Sequence, residues 1–555
     1  MSLKLPNNPN AGLFKQGYQT QSAEDGAVSR NITAVNEISN MVRTSIGPCG
    51  RNKIVVNHLS KVFLTSDAAT ILKELEIVHP AAKLVVMASE QQESEMGDAT
   101  NLVLVLAGEL LSKAEDLMRL GLNTTEIAQG YDLAKKFAVK ELEELVIDNG
   151  DSDEEVSKTV ERALKAVVAA KQYGSEDVLS ELIGQAVAHV LPKKNKSLAH
   201  FNVDSIRVVK IMGSSLEASQ VYRGMVFGRE PEGSIKKAQK AKVGVFTTPI
   251  DISNTETKGT VLLHNAQEML DFSKGEEAQL DEIAKSLADS GMRVAVAGAG
   301  VGELALHYLN KHGILVFRVG SKFDLRRLCR VTGATPLPRL GAPMPEEMGS
   351  IDVVETVEIG GDRVTVFRQE DDKSTTRTST IVLRGATQSA LDDLERAIDD
   401  GVAVVKALAK DQRLVAGAGA AETELATRVV RHGEQTPGLL QHAIKKFGEA
   451  LEVIPRTLAE NAGLDATETL STLYAAHARG SISEGVDVDD EHDGGCVDAK
   501  AKGVLDLFSA KKYAIELATD AASTVLSVDQ IIMAKRAGGP QIPKQGQRGN
   551  WDDDD

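Results

Sequence analysis

The sequence predicts a mixed α and β protein in which helical segments at both chain ends enclose a β-rich centre. Apolar residues recur at helical spacing from about Val28 to Ile46. Runs rich in β-branched residues, separated by helical stretches, begin near Val203, and the helical pattern returns after about Lys410. This order of helical, mixed, α/β, mixed and helical segments suggests nested domains whose outer parts pack together.

The N-terminal third reads as one mainly helical unit with a single hairpin. Glycine and proline together break a helix, and Asn followed three residues later by Glu is an N-cap pattern. The expected elements are a helix from 28 to 46 ended by Gly47-Pro48, a hairpin at Lys53–Val56 and Val62–Thr65, a helix ending at Gly97, a helix beginning at Thr100, and a helix from Asn123 through about Val146.

The rest of the chain divides into a helical segment, the β-rich centre and a second helical region. The expected elements are helices over 156–192, β-rich runs at 206–211, 242–246, 292–297 and 314–318, a strand at 380–383, a helix at 391–410 and helices to about residue 535. The segment 538–555 is rich in Gly, Pro, Gln and Asp, and we expect it to be disordered.

Composition excludes several classes of protein. The chain of 555 residues carries a net charge of −17 with a pI near 5.3, which argues against general binding of nucleic acid or of an anionic membrane. Its three cysteines, Cys49, Cys329 and Cys496, lie far apart, which favours a reducing compartment and not structural zinc. The first 16 residues lack a continuous apolar core and no apolar run reaches about 20 residues, so we expect a cytosolic protein without signal peptide or membrane span.

The sequence around Gly97-Asp98-Ala99-Thr100-Asn101 indicates a nucleotide site. The N-terminus of the helix beginning at Thr100 presents free N–H groups and the positive end of a dipole, which together favour an anion. A carboxylate at the same point needs a divalent cation between itself and a phosphate. Asp98 is therefore interpreted as a Mg²⁺ ligand at a nucleoside triphosphate, with a simple N-cap as the alternative.

Several motifs together resemble the group II chaperonins over nearly the whole chain. Other segments, at residues 5–14, 264–270 and 549–551, resemble one particular subunit type of the eukaryotic cytosolic members. The family motifs are Thr44-Ser45-Ile46-Gly47-Pro48-Cys49-Gly50, Asp67-Ala68-Ala69-Thr70-Ile71-Leu72, His79-Pro80-Ala81-Ala82-Lys83, Gly97-Asp98-Ala99-Thr100-Asn101, Ala107-Gly108-Glu109-Leu110-Leu111 and Ile454-Pro455-Arg456-Thr457-Leu458-Ala459-Glu460-Asn461-Ala462-Gly463.

The resemblance implies a three-domain chaperonin fold. It assigns residues 1–150 and 403–537 to a helix-rich equatorial ATPase domain and 151–216 and 368–402 to a small intermediate hinge domain. Residues 217–367 form an α/β apical domain with a helical lid protrusion from about Asp251 to Gln279, in which Met269, Leu270 and Phe272 contact substrate or pack lid against lid. Residues 538–555 are the tail that we expect to be disordered.

The resemblance also implies partners and cofactors. The chain is expected to join seven paralogous subunits in a hetero-octameric double ring, and to close over non-native proteins such as actin and tubulin when ATP is hydrolysed. ATP and Mg²⁺ are the expected cofactors, and neither nucleic acid nor a membrane is an expected partner.

Most of the expected site residues hold the nucleotide. In isolation the same residues are adequately explained as helix caps, loops, a solvated lysine and surface charges. By resemblance, Ser45, Ile46 and Gly47 present backbone to the phosphates, Asp98 binds Mg²⁺, Thr100 and Asn101 donate to phosphate oxygens beside Ala99 and Leu102, Lys171 reaches the γ-phosphate, Gly417 and Ala418 pass the ribose and adenine, and Asp506 accepts from the ribose hydroxyls beside Lys511.

Asp67 and Asp400 match the positions that orient and activate the attacking water. Hydrolysis needs carboxylates within one water molecule of the γ-phosphate, because the water loses a proton as it attacks. Asp399 competes with Asp400, since adjacent residues of a helix point to different faces. Because Asp400 lies on the hinge segment, its approach to the nucleotide would couple hydrolysis to domain closure.

The chain departs from the family pattern at four positions. Ala68, Ala99 and Ala418 stand where the family usually has Gly, and Asn101 replaces the more usual Thr. A methyl group at Ala99 is expected to crowd the phosphate-binding backbone or to exclude a positive φ. We therefore expect ATP turnover that is competent but slow or weak.

Two alternatives come from other classes of protein. Gly298-Ala299-Gly300-Val301-Gly302-Glu303 follows a β-rich run and resembles a dinucleotide-binding turn, but the third Gly of that motif would fall at Glu303. The second alternative is a structural or substrate-binding ring subunit with little or no ATP hydrolysis, which the Ala99 departure leaves open.

Overall fold

The computed structural model describes residues 19–21, 26–148, 156–191, 201–251, 265–370, 378–489 and 495–533. The predicted disordered tail and residues 252–264 of the predicted protrusion lie outside these ranges, as do the side chains of Met269, Leu270 and Phe272. None of the helices in the described part of the chain is long and apolar enough to cross a membrane.

Helices dominate both ends of the chain. Those within the described residues are α1 Ala27–Arg43, α2 Ala68–Glu74, α3 Pro80–Met96, α4 Thr100–Arg119, α5 Thr124–Glu144, α6 Val156–Ala169, α7 Glu176–Val190, α8 Ala266–Asp289, α9 Glu303–Lys311, α10 Lys322–Thr332, α11 Gln388–Leu408, α12 Ala420–Gln435, α13 Leu440–Leu451, α14 Val453–Ala462, α15 Ala466–Ala478, α16 Ala499–Lys502 and α17 Phe508–Leu526.

Strands concentrate in the middle of the chain, with short ones at its ends. They are β1 Gln19–Gln21, β2 Lys53–Val56, β3 Val62–Thr65, β4 Val146–Asp148, β5 Ile206–Met212, β6 Gln220–Phe227, β7 Lys237–Phe246, β8 Met292–Ala297, β9 Leu315–Arg318, β10 Pro336–Leu337, β11 Gly349–Ile359, β12 Asp362–Arg368, β13 Ser379–Gly385, β14 Leu414–Ala416, β15 Glu484–Val486, β16 Cys496–Asp498, β17 Leu505–Leu507 and β18 Ile531–Met533.

The two ends of the chain share one helical core. Its buried apolar residues come mainly from α1 to α5, from α12 to α14 and from α17. The helix α4 lies at its centre, and Tyr131 of α5, which is fully buried, donates its hydroxyl proton to the Leu110 carbonyl at 2.8 Å. The antiparallel pairing of β1 with β18, Gln19 opposite Met533, also joins the two ends. The predicted packing of the outer segments against each other is confirmed.

The centre of the chain is a mixed nine-stranded sheet. Its strand order is β5-β13-β6-β12-β11-β7-β8-β9, with β10 also pairing with β7. The neighbours β7, β8 and β9 are parallel, and α8 and α9 connect them, as parallel strands require a crossover. The predicted α/β character of this region is confirmed, although β6, β10, β11 and β12 were not predicted.

A second apolar cluster joins these two parts. It combines α6, α7 and α11 with residues of β5 and β13 on one side and of β14 and β17 on the other. The helix α11 is therefore buried along much of its length, and it leads from the sheet into the helical core.

Three boundary predictions were wrong. The first helix ends at Arg43 and not at Ile46, because the amides of Ser45 and Ile46 bond to carbonyls three residues back and tighten the chain into a turn. The helix expected through Val146 ends at Glu144, since the next residues pair as β4 with β14. The final helical region is likewise interrupted by β14 to β18; the partners of β14, β17 and β18 are distant in sequence and invisible to local periodicity.

The turn between α3 and α4 is held against α11 by a close backbone approach. Gly97 caps α3 with φ of 77°, and a Cβ there would lie 2.3 Å from Cβ of Ala403. A glycine is thus required twice, for the left-handed backbone and for contact with α11.

We expect Gly97→Ala to destabilise the chain by about 1–3 kcal/mol more than Gly121→Ala, because only the first adds overpacking to backbone strain. Gly121 is the matched control: its φ is 98° and its added Cβ would meet nothing within 4 Å. Urea denaturation of the two variants measures the difference. Equal loss of stability would show that the contact with Ala403 is not constraining.

Candidate functional site

A cavity of about 380 Å³ lies where the helical core meets the loop between α6 and α7. Residues from both ends of the chain and from that loop line the cavity. Of the predicted site residues, those lining it are Ser45, Ile46, Gly47, Asp67, Asp98, Ala99, Thr100, Asn101, Leu102, Lys171, Ala418, Asp506 and Lys511. Asp400 and Gly417 lie just outside the wall, Asp400 behind Lys171 and Gly417 beside Ala418.

The turn after α1 is locked to the helix start of α4. Asn101 donates from Nδ2 to the Ser45 carbonyl at 3.4 Å and accepts at Oδ1 from the Ala68 amide at 3.1 Å. Asn101 was expected to donate to phosphate oxygens; in the structure its amide group braces α4 against α2 and the turn. Gly47 has φ of 80°, and a Cβ there would lie 2.4 Å from Leu458 Cδ2. This glycine is therefore required by packing, and not only by ligand access.

Two of the alanines that replace family glycines adopt the left-handed conformation. Ala99, the N-cap of α4, has φ of 64°, and Ala418 has φ of 52°. The expectation that a methyl group at Ala99 excludes a positive φ is therefore wrong; the conformation is kept at a cost of about 1–2 kcal/mol per residue. Ala68 differs, because it is the buried first residue of α2 and needs no such backbone.

Asp98 fits the part of a cation ligand. It lines the cavity at the start of α4, and none of the described residues forms an ion pair with it within 4 Å. Burial raises the pKa of its carboxyl above the ordinary value, although Lys171 acts in the opposite direction. A carboxylate that burial makes costly to ionise is stabilised by a hard divalent cation such as Mg²⁺, which prefers oxygen ligands.

Lys171 joins two carboxylates that are far apart in sequence. It lies in the loop after α6, where its Nζ is 3.3 Å from Oδ1 of Asp67 and forms an ion pair with Oδ2 of Asp400. Asp67 is the N-cap of α2 and accepts from the Thr70 amide and hydroxyl at 2.9 and 2.7 Å. Burial opposes ionisation of Asp67, but Lys171 and the Thr70 donors outweigh it and lower its pKa.

The structure distinguishes the two adjacent aspartates of α11. Asp400 is buried and faces Lys171, whereas Asp399 is exposed on the other side of the helix, where Glu395 and Lys210 are its charged neighbours. Helical geometry sends consecutive side chains about 100° apart, so the two cannot share one site.

Sequence reasoning missed Glu93. Its carboxylate oxygen and those of Asp67 and Asp400 lie within 4.8 Å of one another. Burial, and next the negative charge of Asp67, raise the pKa of Glu93 to about 7. The available signal was its position four residues before Gly97, which puts it in the last turn of α3, above the Asp98 turn.

A buried lysine also lines the cavity. Lys511 Nζ lies 2.9 Å from Asp506 Oδ2 and 2.6 Å from Glu422 Oε1. Burial disfavours the charged ammonium, but Asp506 and Glu422 outweigh it and raise the pKa of Lys511. The pairing of β14 with β17 sets Val415 opposite Asp506, which brings Asp506 to the turn after β14. Glu422 was also missed, although it stands in the first turn of the helix that follows Gly417-Ala418-Gly419.

Comparison with known proteins gives one consistent result. A family model described as "TCP-1/cpn60 chaperonin family" matches residues 38–536. The chain is 60% identical to T-complex protein 1 subunit theta of Saccharomyces cerevisiae over 574 residues, covering all of both chains. It is 58% identical to the probable theta subunit of Schizosaccharomyces pombe and 49% identical to the theta subunit of Homo sapiens, again over 100% of each chain. The resemblance found from the motifs is confirmed, and the dinucleotide-binding alternative is set aside.

We expect Glu93→Gln to stabilise the chain increasingly as pH rises. Free glutamate ionises near pH 4.5, whereas Glu93 in the folded chain ionises near 7. The folded state thus holds its proton longer, so the wild type loses stability as pH rises from 4.5 to 7, and a glutamine does not. Between pH 6 and pH 8.5 the advantage of the variant should grow by about 1 kcal/mol.

Urea denaturation at both pH values measures this change. The matched control is Glu95→Gln on the same helix, since Glu95 is partly exposed and lies 3.9 Å from Lys410. We expect Glu95→Gln to change the free energy of unfolding by the same amount at the two pH values. Parallel pH profiles for the two variants would contradict the assignment of a buried proton to Glu93.

Proposed function

Because this chain belongs to the TCP-1/cpn60 chaperonin family and is a chaperonin subunit acting in protein folding, we propose that it binds Mg·ATP in this cavity and hydrolyses it to drive lid closure over a non-native protein. The observation that carries the proposal is the ion pair of Lys171 with both Asp67 and Asp400 at the cavity. It brings together the three groups to which we assign activation of the water and contact with the γ-phosphate.

The phosphates would lie at the start of α4. Thr100, Leu102 and the backbone of Ser45-Ile46-Gly47 line that end of the cavity, where helix N–H groups favour an anion. Asp98 would hold Mg²⁺, which neutralises phosphate charge during transfer. The nucleoside would occupy the far end, against Gly417-Ala418 and Asp506.

Hydrolysis would proceed by attack of water on the γ-phosphorus. The water oxygen bonds to phosphorus, the bond to the β-phosphate oxygen breaks, and the water proton passes to a carboxylate of Asp67 or Asp400. Lys171 leaves those carboxylates to pair with the γ-phosphate. Losing their ammonium partner makes both carboxylates stronger bases at the moment when a proton must be accepted.

Lid closure would follow hydrolysis because the reacting groups come from different parts of the fold. Asp67 belongs to the helical core, Lys171 to the α6–α7 loop and Asp400 to α11. We propose the boundaries 1–150 and 403–537 for the equatorial domain, 151–216 and 368–402 for the hinge, and 217–367 for the apical domain. The shared core of the two chain ends supports this division.

Assembly into a ring is supported by the hairpin β2–β3. It exposes apolar side chains, with Ile54 70%, Val56 59%, Leu59 74% and Val62 62% accessible. A patch of this kind marks a protein interface. We propose a hetero-octameric double ring with seven paralogous subunits, located in the cytosol and acting on proteins such as actin and tubulin.

A second candidate is a ring subunit that binds substrate with little hydrolysis. It is favoured by the left-handed backbone of Ala99 and Ala418, because two methyl groups stand where the nucleotide phosphates and sugar approach. The two candidate functions differ in the rate of ATP hydrolysis and not in the fold of the chain.

We expect Asp400→Asn to lower phosphate release from ATP by about a hundredfold or more while ATP binding persists, because the amide cannot accept the water proton. Asp399→Asn makes the same change on the neighbouring exposed carboxylate and should retain turnover. Phosphate release and ATP binding are measured on the purified full-length chain. Unchanged release in Asp400→Asn would overturn the catalytic assignment, and ATP binding without release in the wild type would favour the second candidate.

The assembly proposal is tested by the native mass and symmetry of the complex purified through a tag on this chain from its own cells. We expect a double ring of about a megadalton containing several related chains. A monomer or a small homo-oligomer would contradict it.

A further inference from the structure

The sugar end of the cavity contains one ammonium shared by two carboxylates. Lys511, only 6% exposed, lies between Glu422 of α12 and Asp506 of β17. The three side chains come from three elements of the helical core. The two carboxylates differ in access, since Glu422 is 3% exposed whereas the side chain of Asp506 is 31% exposed. Asp506 is thus the member that a ligand in the cavity meets.

Glu422 lines the same cavity and is incompletely satisfied. Its Oε1 accepts from Lys511 at 2.6 Å, while its buried Oε2 has no hydrogen-bond partner among the described residues. A buried carboxylate oxygen without a donor costs stability, so such groups in native proteins are associated with function. The plain need to neutralise Lys511 does not explain Glu422, because Asp506 alone supplies one negative charge.

The second carboxylate changes what Asp506 is able to do. With a single partner, Lys511 would neutralise Asp506 and draw its carboxylate away from the cavity. Sharing the ammonium leaves the group with a net charge of −1, and Asp506 keeps acceptor strength for a neutral hydroxyl. Gly417 leaves space around this carboxylate, since a Cβ there would stand 3.2 Å from Asp506 Oδ2.

We propose that Glu422 is a positioning residue that acts through Lys511 to orient Asp506 toward the ribose hydroxyls, and that it thereby sets a preference for ribonucleoside over 2′-deoxyribonucleoside triphosphates. This inference rests on the proposed binding of ATP in the cavity. A site built to accept from a hydroxyl discriminates against the analogue that lacks it, because the acceptor is left unpaired.

The test compares dissociation constants of ATP, 2′-deoxyATP and ADP for the full-length chain. We expect the wild type to bind ATP about tenfold or more tightly than 2′-deoxyATP. Glu422→Gln should reduce that preference by about threefold or more while leaving the ratio of ATP to ADP affinity unchanged, since the phosphate end is untouched. General damage to the fold would weaken all three ligands together.

Glu424→Gln is the matched control. Glu424 lies on the same helix, is also buried, and has hydrogen-bonding partners of its own, His477 at 2.9 Å and Arg428 at 2.8 Å, but it does not line this cavity. It should leave the preference for ATP over 2′-deoxyATP as in the wild type. If Glu422→Gln does not fold, the same dissociation constants are measured for Glu422→Asp, which keeps the charge but shortens the side chain.

The possible results distinguish failure of ATP binding from failure of the role assigned to Glu422. Absence of ATP binding by the wild type would remove the proposed function and this inference with it. ATP binding with an unchanged sugar preference in the Glu422 variants would overturn the inference alone. A fall in sugar preference in Glu422→Gln and equally in Glu424→Gln would also overturn it, because the effect would then be a general one of the helix.

Discussion

The arrangement of the site depends on one ammonium group, that of Lys171, between the carboxylates of Asp67 and Asp400. Asp67, Asp400 and nearby Glu93 would repel one another if all were ionised without a cation. The ion pairs make their proximity tolerable and hold the α6–α7 loop and α11 against the helical core. A buried group of this kind contributes little net stability but strongly penalises separation of its members.

The helix α11 gives that ammonium its wider influence. One of its residues faces Lys171, another, Asp393, accepts from Gln172 of the same loop, and a third, Arg396, donates to the Leu64 carbonyl of the exposed hairpin at 2.7 Å. The helix is buried along much of its length. Its contacts therefore link the cavity to the hairpin surface.

Backbone conformation sets the second constraint on the cavity. The turns that enclose it use left-handed residues at Gly47, Gly97, Ala99, Ala418 and Gly419. At Gly47 and Gly97 neighbouring side chains would collide with a Cβ, whereas Ala99 and Ala418 accept a methyl group at a cost in strain. The fold thus tolerates alanine where only φ is demanding and requires glycine where contact is added.

The sequence by itself determined the helical ends, the α/β centre, the family and most of the residues around the cavity, because periodicity, caps and turn residues are local properties. It did not determine Glu93 or Glu422, the choice between Asp399 and Asp400, the bracing role of Asn101 or the short strands β14 to β18. These depend on which distant segments meet, and on how burial and neighbouring charges then alter each group. Only the tertiary structure decided them, because the sequence does not show which ammonium group will lie beside a given carboxylate.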